Sequence, residues 1–121
     1  IVLNIGQIYE EIGENNTAIN YYYDAVRIEP ANYKARHSLG VALGAAGFQD
    51  KAQEELQKAI EIEPENPDGY YNLGLVYELQ GNIEKAKEQY KRAIDIDPNH
   101  VEARNNLGII MEEESKQTNN G

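Results

Sequence analysis

The sequence predicts an all-α solenoid of paired helices, and three regularities lead to that prediction. Four glycines recur at intervals of 34 residues, and a second glycine set and a set of prolines keep the same interval. Between these marks the apolar residues are spaced as on helices rather than alternating as on strands. A fixed period of this kind is typical of stacked repeats. The three sets are Gly6, Gly40, Gly74 and Gly108; Gly13, Gly47 and Gly81; and Pro30, Pro64 and Pro98.

Each repeat unit is predicted to contain two helices. In the third unit, helically spaced apolar residues fill Tyr70–Tyr77 before Gly81 and Ile83–Ile96 after it. Gly81 ends the first helix because glycine tolerates a left-handed backbone, and Pro98 follows the second because proline cannot continue a helix. We therefore expect a single domain, 1–121, of three helix pairs and a seventh, capping helix. The expected bounds are about 1–32, 33–66 and 67–100 for the units, about 101–116 for the capping helix and 117–121 for a frayed polar tail.

The repeated columns resemble the tetratricopeptide repeat (TPR) family. Its 34-residue pattern runs aromatic, Leu-Gly, Tyr, Ala, aromatic, Ala, Pro. The third unit matches every column with Tyr70, Leu73, Gly74, Tyr77, Ala86, Tyr90, Ala93 and Pro98. The resemblance covers residues 1–114, and it implies a right-handed superhelix whose inner wall comes mostly from the first helix of each unit. The family binds many different partners, so the resemblance specifies the fold more closely than the function.

Small and charged residues in these columns carry packing expectations. Gly40 is expected to face Ala52, and Gly74 to face Ala86, so that paired helices approach closely. Arg36 and Arg104 replace the first aromatic residue of the pattern. We expect their aliphatic stems to pack while the guanidinium groups stay outside.

Composition excludes several classes of function. The chain has 21 acidic and 11 basic residues, a net charge of −10, which argues against binding nucleic acid through its phosphates. There is no cysteine, and His37 and His100 lack helix-spaced ligand partners, so no metal site is expected. Mean hydropathy is −0.70 and no apolar run approaches a bilayer span. No phosphate-binding glycine loop or catalytic carboxylate pair is apparent, so we expect no enzyme activity and no cofactor.

Aligning the units by their glycines places one column of mostly asparagines on the inner wall. Asn4, Ser38, Asn72 and Asn106 precede the Leu-Gly position. Each amide offers a donor and an acceptor, so a row of them can pair with the backbone of an extended peptide. The column is similar to that of the O-GlcNAc transferase superhelix, which implies backbone recognition of protein substrates. A second interpretation, that asparagine fills this column and aids solubility, stays open.

Neighbouring columns are acidic and apolar. Glu10, Glu78 and Glu112 recur at the repeat interval, and convergent carboxylates would attract a basic segment. Exposed apolar side chains beside them would supply further contact. The predicted peptide-binding residues are Asn4, Gln7, Glu10, His37, Ser38, Val41, Tyr71, Asn72, Leu75, Glu78, Asn105, Asn106, Ile109 and Glu112.

The second unit is unusual because no large side chain follows Leu43 within Val41–Gly47. We expect these small residues to leave a hollow, flanked by Glu10 and Glu78 with His37 near its rim. It would accept one bulky side chain of a partner. An ordinary alanine-rich helix is the other interpretation.

The predicted function is a non-catalytic protein–protein interaction module that binds an extended basic or basic–apolar peptide in its concave groove. TPR domains that bind the acidic carboxyl terminus of heat-shock chaperones use a clamp of lysine, asparagine and arginine. Here Leu3, Gln7, Ser38, Asp68 and Asn72 occupy the clamp columns, so an acidic ligand would be repelled. The alternatives are a scaffold that self-associates through its chain ends, and a substrate-recruiting arm of a larger enzyme. The expected location is cytoplasmic.

Overall fold

The computed structural model describes the backbone of residues 1–120 and the side chains of residues 1–118. Within them the chain forms seven helices and no strands, in two compact units of residues 1–64 and 65–121. The first unit holds α1 (Val2–Glu11), α2 (Asn15–Ile28), α3 (Tyr33–Ala45) and α4 (Gln49–Ile62). The second holds α5 (Pro67–Leu79), α6 (Ile83–Ile96) and α7 (Val101–Asn120). The predicted all-α solenoid fold class, with its seven helices, is confirmed; the single domain stays a prediction.

The last helix is longer than predicted. Helix α7 continues through residue 120, so the frayed tail expected from residue 117 is wrong for 117–120, while Gly121 lies outside the described residues. Two contacts one turn apart support the extension. Lys116 Nζ lies 3.5 Å from Glu112 Oε1, and the Thr118 hydroxyl donates to the Glu114 carbonyl at 3.0 Å. These side chains stabilise the helix end.

Glycine turns separate the two helices of each pair, as the sequence predicts. Gly13, Gly47 and Gly81 have φ angles of +86°, +96° and +82°, a region that other residues enter only with strain. In the first turn Glu14 N–H donates to the Tyr9 carbonyl at 2.9 Å, and the third turn repeats this bond from Asn82 to Tyr77 at 2.8 Å. The turns therefore terminate the first helices by the same hydrogen-bonded geometry.

The glycines of the other column allow close approach of the paired helices, but to different neighbours from those expected. A Cβ atom on Gly74 would lie 2.5 Å from Tyr90 Cε1, and one on Gly40 would lie 2.7 Å from Leu56 Cγ. The expected neighbours, Ala52 and Ala86, are not the nearest atoms, although both alanines are fully buried. A large side chain crosses the glycine in each pair, and this explains why the column is kept free of side chains.

Arg36 is a second correction. Its guanidinium does not stay outside: Nη1 donates to Glu55 Oε2 at 2.8 Å, with the two side chains only 14% and 12% exposed. Its Nε donates to the Pro30 carbonyl at 2.9 Å. Arg104 repeats that second contact with the Pro98 carbonyl and is exposed, as expected. In both repeats the arginine donates a hydrogen bond to a backbone carbonyl in the loop that precedes its helix.

Candidate functional site

The fourteen predicted peptide-binding side chains are all at least partly exposed. In the first unit Asn4, Glu10 and Val41 are exposed, and in the second unit Asn105, Ile109 and Glu112 are exposed. The leucines that follow two of the polar positions are instead buried, with Leu39 0% and Leu73 3% exposed. Helical geometry explains the difference, because successive residues of a helix point about 100° apart.

In the first unit Glu10 is held by a buried tyrosine. The Tyr22 hydroxyl on α2 donates to Glu10 Oε1 on α1 at 2.9 Å, and Tyr22 is 0% exposed. Burial raises the pKa of Tyr22, and the neighbouring Glu10 carboxylate raises it further. The hydroxyl therefore stays protonated, and it orients the carboxylate while leaving its charge at the surface.

The second unit repeats this pair. The Tyr90 hydroxyl on α6 donates to Glu78 Oε1 on α5 at 2.5 Å. Burial raises the pKa of Tyr90, and the hydrogen bond with Glu78 raises it further. Asn106 Nδ2 on α7 donates to the same hydroxyl at 3.4 Å. The ring of Tyr71 lies 6.0 Å from that of Tyr90. Glu78, Asn106 and Tyr71 are thus predicted binding residues that the second unit brings together around one buried hydroxyl.

Two amides of the asparagine column have partners inside the second unit. Asn72 Nδ2 donates to the Asp68 carbonyl one turn earlier at 3.0 Å, and Asn106 donates to Tyr90. In the first unit Asn4 is exposed and Ser38 is half-buried. Backbone recognition by the column stays a prediction. A peptide would compete with these internal bonds for the amide donors of Asn72 and Asn106.

His100 is a buried polar residue of the second unit. Its Nδ1 accepts a hydrogen bond from Ala103 N–H at 3.2 Å, so Nε2 carries the proton and donates to Asp68 Oδ1 at 3.1 Å. The residue is 8% exposed, and its ring lies 5.1 Å from that of Tyr71. His100 therefore caps the first turn of α7 and links it to α5.

The repeat alignment contains a signal for this cap that our sequence interpretation missed. Asn32 and Asn66 stand 68 and 34 residues before His100. Their side chains accept from Ala35 N–H at 3.1 Å and from Asp68 N–H at 3.0 Å. An asparagine column just before each first helix predicts a capping position, and His100 fills the same position with a ring nitrogen.

The hollow predicted beside the small residues of the second repeat is present, but the residues at its rim differ from the prediction. A cavity of about 440 Å³ lies beside Glu10 and is lined by three alanines of the α3 end, Ala42, Ala45 and Ala46. The residues opposite them are 13–16, from the turn after α1 and the start of α2. His37 instead stacks on Tyr33, with ring centroids 5.3 Å apart, and does not line the cavity. The small side chains of α3 account for the open space.

Metal and membrane sites were sought among the same residues. No group of three or more His, Cys, Asp or Glu side chains within 1–118 is placed to hold a metal ion. None of the described helices has the length and apolar character that crossing a membrane requires.

Comparisons with known proteins agree with this architecture. Models described as tetratricopeptide repeat match residues 1–32, 67–100 and 89–121, and a model described as TPR repeat matches 45–81. A search of curated proteins returned no match.

Three solved structures illustrate the similarity. MamA is 32% identical with a TM-score of 0.89, over 94% of this chain and 67% of its own. YrrB, described as a TPR protein with an unusual peptide-binding site, is 30% identical with a TM-score of 0.84, over 86% of this chain and 54% of its own. An O-GlcNAc transferase of Thermobaculum terrenum is 24% identical with a TM-score of 0.83, over 89% of this chain and 21% of its own, and shares the fold.

These findings define the protein in two steps. Helix pairs separated by glycine turns, with an exposed polar and apolar face on the first helices, define a helical-repeat protein-interaction module. The matches to the repeat models and the identity to MamA then place the chain in the tetratricopeptide repeat family.

Proposed function

We propose that the protein is a non-catalytic module that binds an extended basic or basic–apolar peptide along the first helices of its repeats. One observation carries the proposal. The fourteen predicted contact residues are all accessible, and they include the carboxylates of Glu10, Glu78 and Glu112 but no lysine or arginine. Within each unit these carboxylates attract basic groups and repel acidic ones.

Two further observations support a peptide as the ligand. YrrB, at 30% identity, is described as having a peptide-binding site. The predicted face also carries exposed apolar side chains, with Val41 37% and Ile109 55% exposed, and an apolar–polar mixture is what peptide grooves use for contact and orientation. We propose that the glutamates contact basic side chains and that Val41, Leu75 and Ile109 contact apolar ones.

The test is a titration of the ¹⁵N-labelled chain with an arginine-rich peptide and with the same peptide carrying citrulline in place of arginine. Citrulline keeps the shape of the side chain and removes its charge. The arginine peptide is expected to shift amide resonances of the first helices and to bind more weakly as salt is raised. Shifts confined to other surfaces, or equal binding of the citrulline peptide, would contradict the proposal.

A matched pair of variants tests the role of the acidic column. Glu112 is exposed on α7, and Glu112→Gln removes one charge without touching a buried tyrosine. We expect roughly two- to fivefold weaker binding, the effect of one exposed ion pair. Glu61→Gln makes the same charge change on the exposed surface of α4 and is expected to leave the affinity unchanged.

Exposed apolar residues on α7 favour self-association as a second candidate function. Val101, Ile109 and Met111 are 61%, 55% and 52% exposed, so α7 presents three large apolar side chains to the solvent. Sedimentation velocity at two protein concentrations distinguishes the candidates. A concentration-independent monomer excludes self-association and leaves peptide binding as the function to test.

A further inference from the structure

The cavity of the first unit has the chemistry of a cation site. It measures about 440 Å³, and its lining includes the carboxylates of Glu10 and Glu14, the amides of residues 15 and 16, and three alanines, with no lysine or arginine. Glu10 is the carboxylate that accepts the Tyr22 hydroxyl at 2.9 Å. The Glu10 carboxylate therefore places a negative charge at the cavity, and the fully buried Tyr22 fixes the position of that carboxylate.

The cavity is open because α3 is small where α7 is large. A shift of 68 residues, two repeats, carries the lining residues Ala42, Ala45 and Ala46 onto Ile110, Glu113 and Glu114 of the second unit. Ile110 is 5% exposed and fills its position against the core. In the first unit the same positions carry only methyl groups, so the space beside them stays empty.

At the equivalent place in the second unit the chain carries its own cation. Lys87 Nζ on α6 lies 2.8 Å from Glu114 Oε2 on α7 and 3.1 Å from Glu84 Oε1. The same 68-residue shift places Lys87 at Ile19, Glu84 at Asn16 and Glu114 at Ala46. Asn16 and Ala46 both line the cavity. At this place the first unit has a cavity instead of the ammonium and its two carboxylates; the acidic residues of the cavity are Glu10 and Glu14, and no lysine or arginine lines it.

We propose that this cavity binds the ammonium group of a lysine side chain from the peptide partner, with Glu10 and Glu14 as its counter-charges. The assignment rests on the proposed function for the presence of a peptide, and it adds the position and the residue type that anchor it. An aliphatic stem suits the alanine wall, and the ammonium suits the carboxylates opposite. In the second unit Glu84 and Glu114 hold the Lys87 ammonium at the corresponding place; in the first unit Asn16 and Ala46 replace these carboxylates, so Glu10 and Glu14 supply the negative charge.

The probe is a short alanine peptide with one central lysine, capped at both ends, and its control carries ε-acetyl-lysine, which has no charge. Both are titrated into the ¹⁵N-labelled 121-residue chain. The lysine peptide is expected to shift the amides of residues 13–16, 45 and 46, and the acetylated peptide to bind roughly fivefold more weakly or not at all. Equal shifts at these amides from both peptides would overturn the assignment.

Two pairs of variants locate the site. Ala45→Leu fills the cavity and is expected to abolish the shifts of residues 13–16, whereas Ala31→Leu makes the same change at an exposed loop position and retains them. Glu14→Gln is expected to weaken lysine-peptide binding roughly two- to fivefold, with Glu61→Gln as the control for net charge. If Ala45→Leu binds the peptide with unchanged affinity and unchanged shifts, the cavity is not the site.

A grafted internal ligand gives an independent check. The triple substitution Ile19→Lys, Asn16→Glu and Ala46→Glu rebuilds the Lys87 arrangement in the first unit, and the new ammonium should compete with the peptide.

The outcomes of these experiments also separate this inference from the proposed function. Peptide binding with shifts only among residues 71–78 and 105–112 overturns the cavity assignment alone, and no binding of any basic peptide overturns both.

Discussion

Two glycines of the same column should respond in opposite directions to substitution by alanine. Gly74 and Gly108 occupy equivalent positions, 34 residues apart. A Cβ on Gly74 would lie 2.5 Å from Tyr90 Cε1 and 2.7 Å from Cδ1, whereas a Cβ on Gly108 would have no atom within 4 Å. The backbone benefit of alanine is the same in both helices, so the steric environment alone sets the difference.

The magnitudes follow from these distances. Alanine is favoured over glycine inside a helix by about 1 kcal/mol, and Gly108→Ala should gain up to that amount. At Gly74 the new methyl group must displace a ring that is 0% exposed and whose hydroxyl is bonded to Glu78. Overpacking of this kind costs about 1–3 kcal/mol. Taking the upper half of that range and subtracting the helix gain leaves a net loss of about 1–2 kcal/mol for Gly74→Ala.

Urea unfolding followed by circular dichroism measures both variants against the unsubstituted chain. The expected result is a lower midpoint for Gly74→Ala and a higher one for Gly108→Ala, with unchanged denaturant slopes. The double variant Gly74→Ala, Tyr90→Ala removes the clashing ring, and in that background the alanine should no longer destabilise. A Gly74→Ala chain as stable as the parent would refute the close-approach explanation of the column.

Three further substitutions test individual contacts. Tyr90→Phe should lose about 1 kcal/mol at neutral pH; because the pKa of Tyr90 is raised above 10.0, unfolded tyrosine ionises first as pH rises and the parent loses stability there, so unfolding across alkaline pH should show a flatter profile for the variant. His100→Ala should cost about 1 kcal/mol by removing the cap on Ala103 N–H, whereas His100→Asn keeps an acceptor and should cost less, as urea midpoints will show. Glu114 and Glu84 stabilise the charged Lys87 and raise its pKa above 10.5, so Lys87→Gln should lower the stability of the chain. This contribution is present below pH 10.5 and is lost as the pH rises above it. The difference in urea midpoint between the variant and the parent should therefore shrink at high pH and in high salt.

The fold could be predicted because its determinants are local and periodic. Each helix break depends on one residue type with a backbone reason, such as glycine at φ near +86° in the first turn. The same glycine and proline positions recur in every repeat of one sequence. A chance match is therefore excluded without knowledge of tertiary contacts. The end of α7 was mispredicted because no such marker follows it in the sequence.

Contacts between helices were harder to predict. The Gly40 neighbour was expected to be Ala52 and is Leu56, because the column that faces a glycine depends on how the helices cross, which periodicity does not specify. The Arg36–Glu55 pair is likewise a contact between α3 and α4. Nothing in the spacing of these residues distinguishes a half-buried ion pair from two solvated charges.

The acidic column shows where a signal existed and was not used. Two repeats have a tyrosine at the buried aromatic position, Tyr22 and Tyr90, and both have a glutamate on the preceding helix, Glu10 and Glu78. The middle repeat has Leu56 at the aromatic position and Gly44 at the glutamate position. The hydroxyl and the carboxylate therefore occur together or not at all. That pairing within one sequence predicts the hydrogen bonds of 2.9 and 2.5 Å, since a buried hydroxyl needs an acceptor.

This structural role does not remove the glutamates from the binding surface. A carboxylate that accepts one hydroxyl hydrogen bond keeps its full charge and its remaining lone pairs, and Glu10 stays exposed. The tyrosine instead reduces the entropy that the side chain must lose when it meets a cation, because its rotamer is already restricted. Glu112 has no equivalent tyrosine partner in the described chain; its carboxylate pairs instead with Lys116 Nζ at 3.5 Å, a contact that a cation would have to displace. Loss of the Glu112 carboxylate should therefore weaken the binding of a basic peptide less than loss of the Glu10 carboxylate does. The comparison requires a separate measurement of the stability that the chain loses when Tyr22 is unpaired.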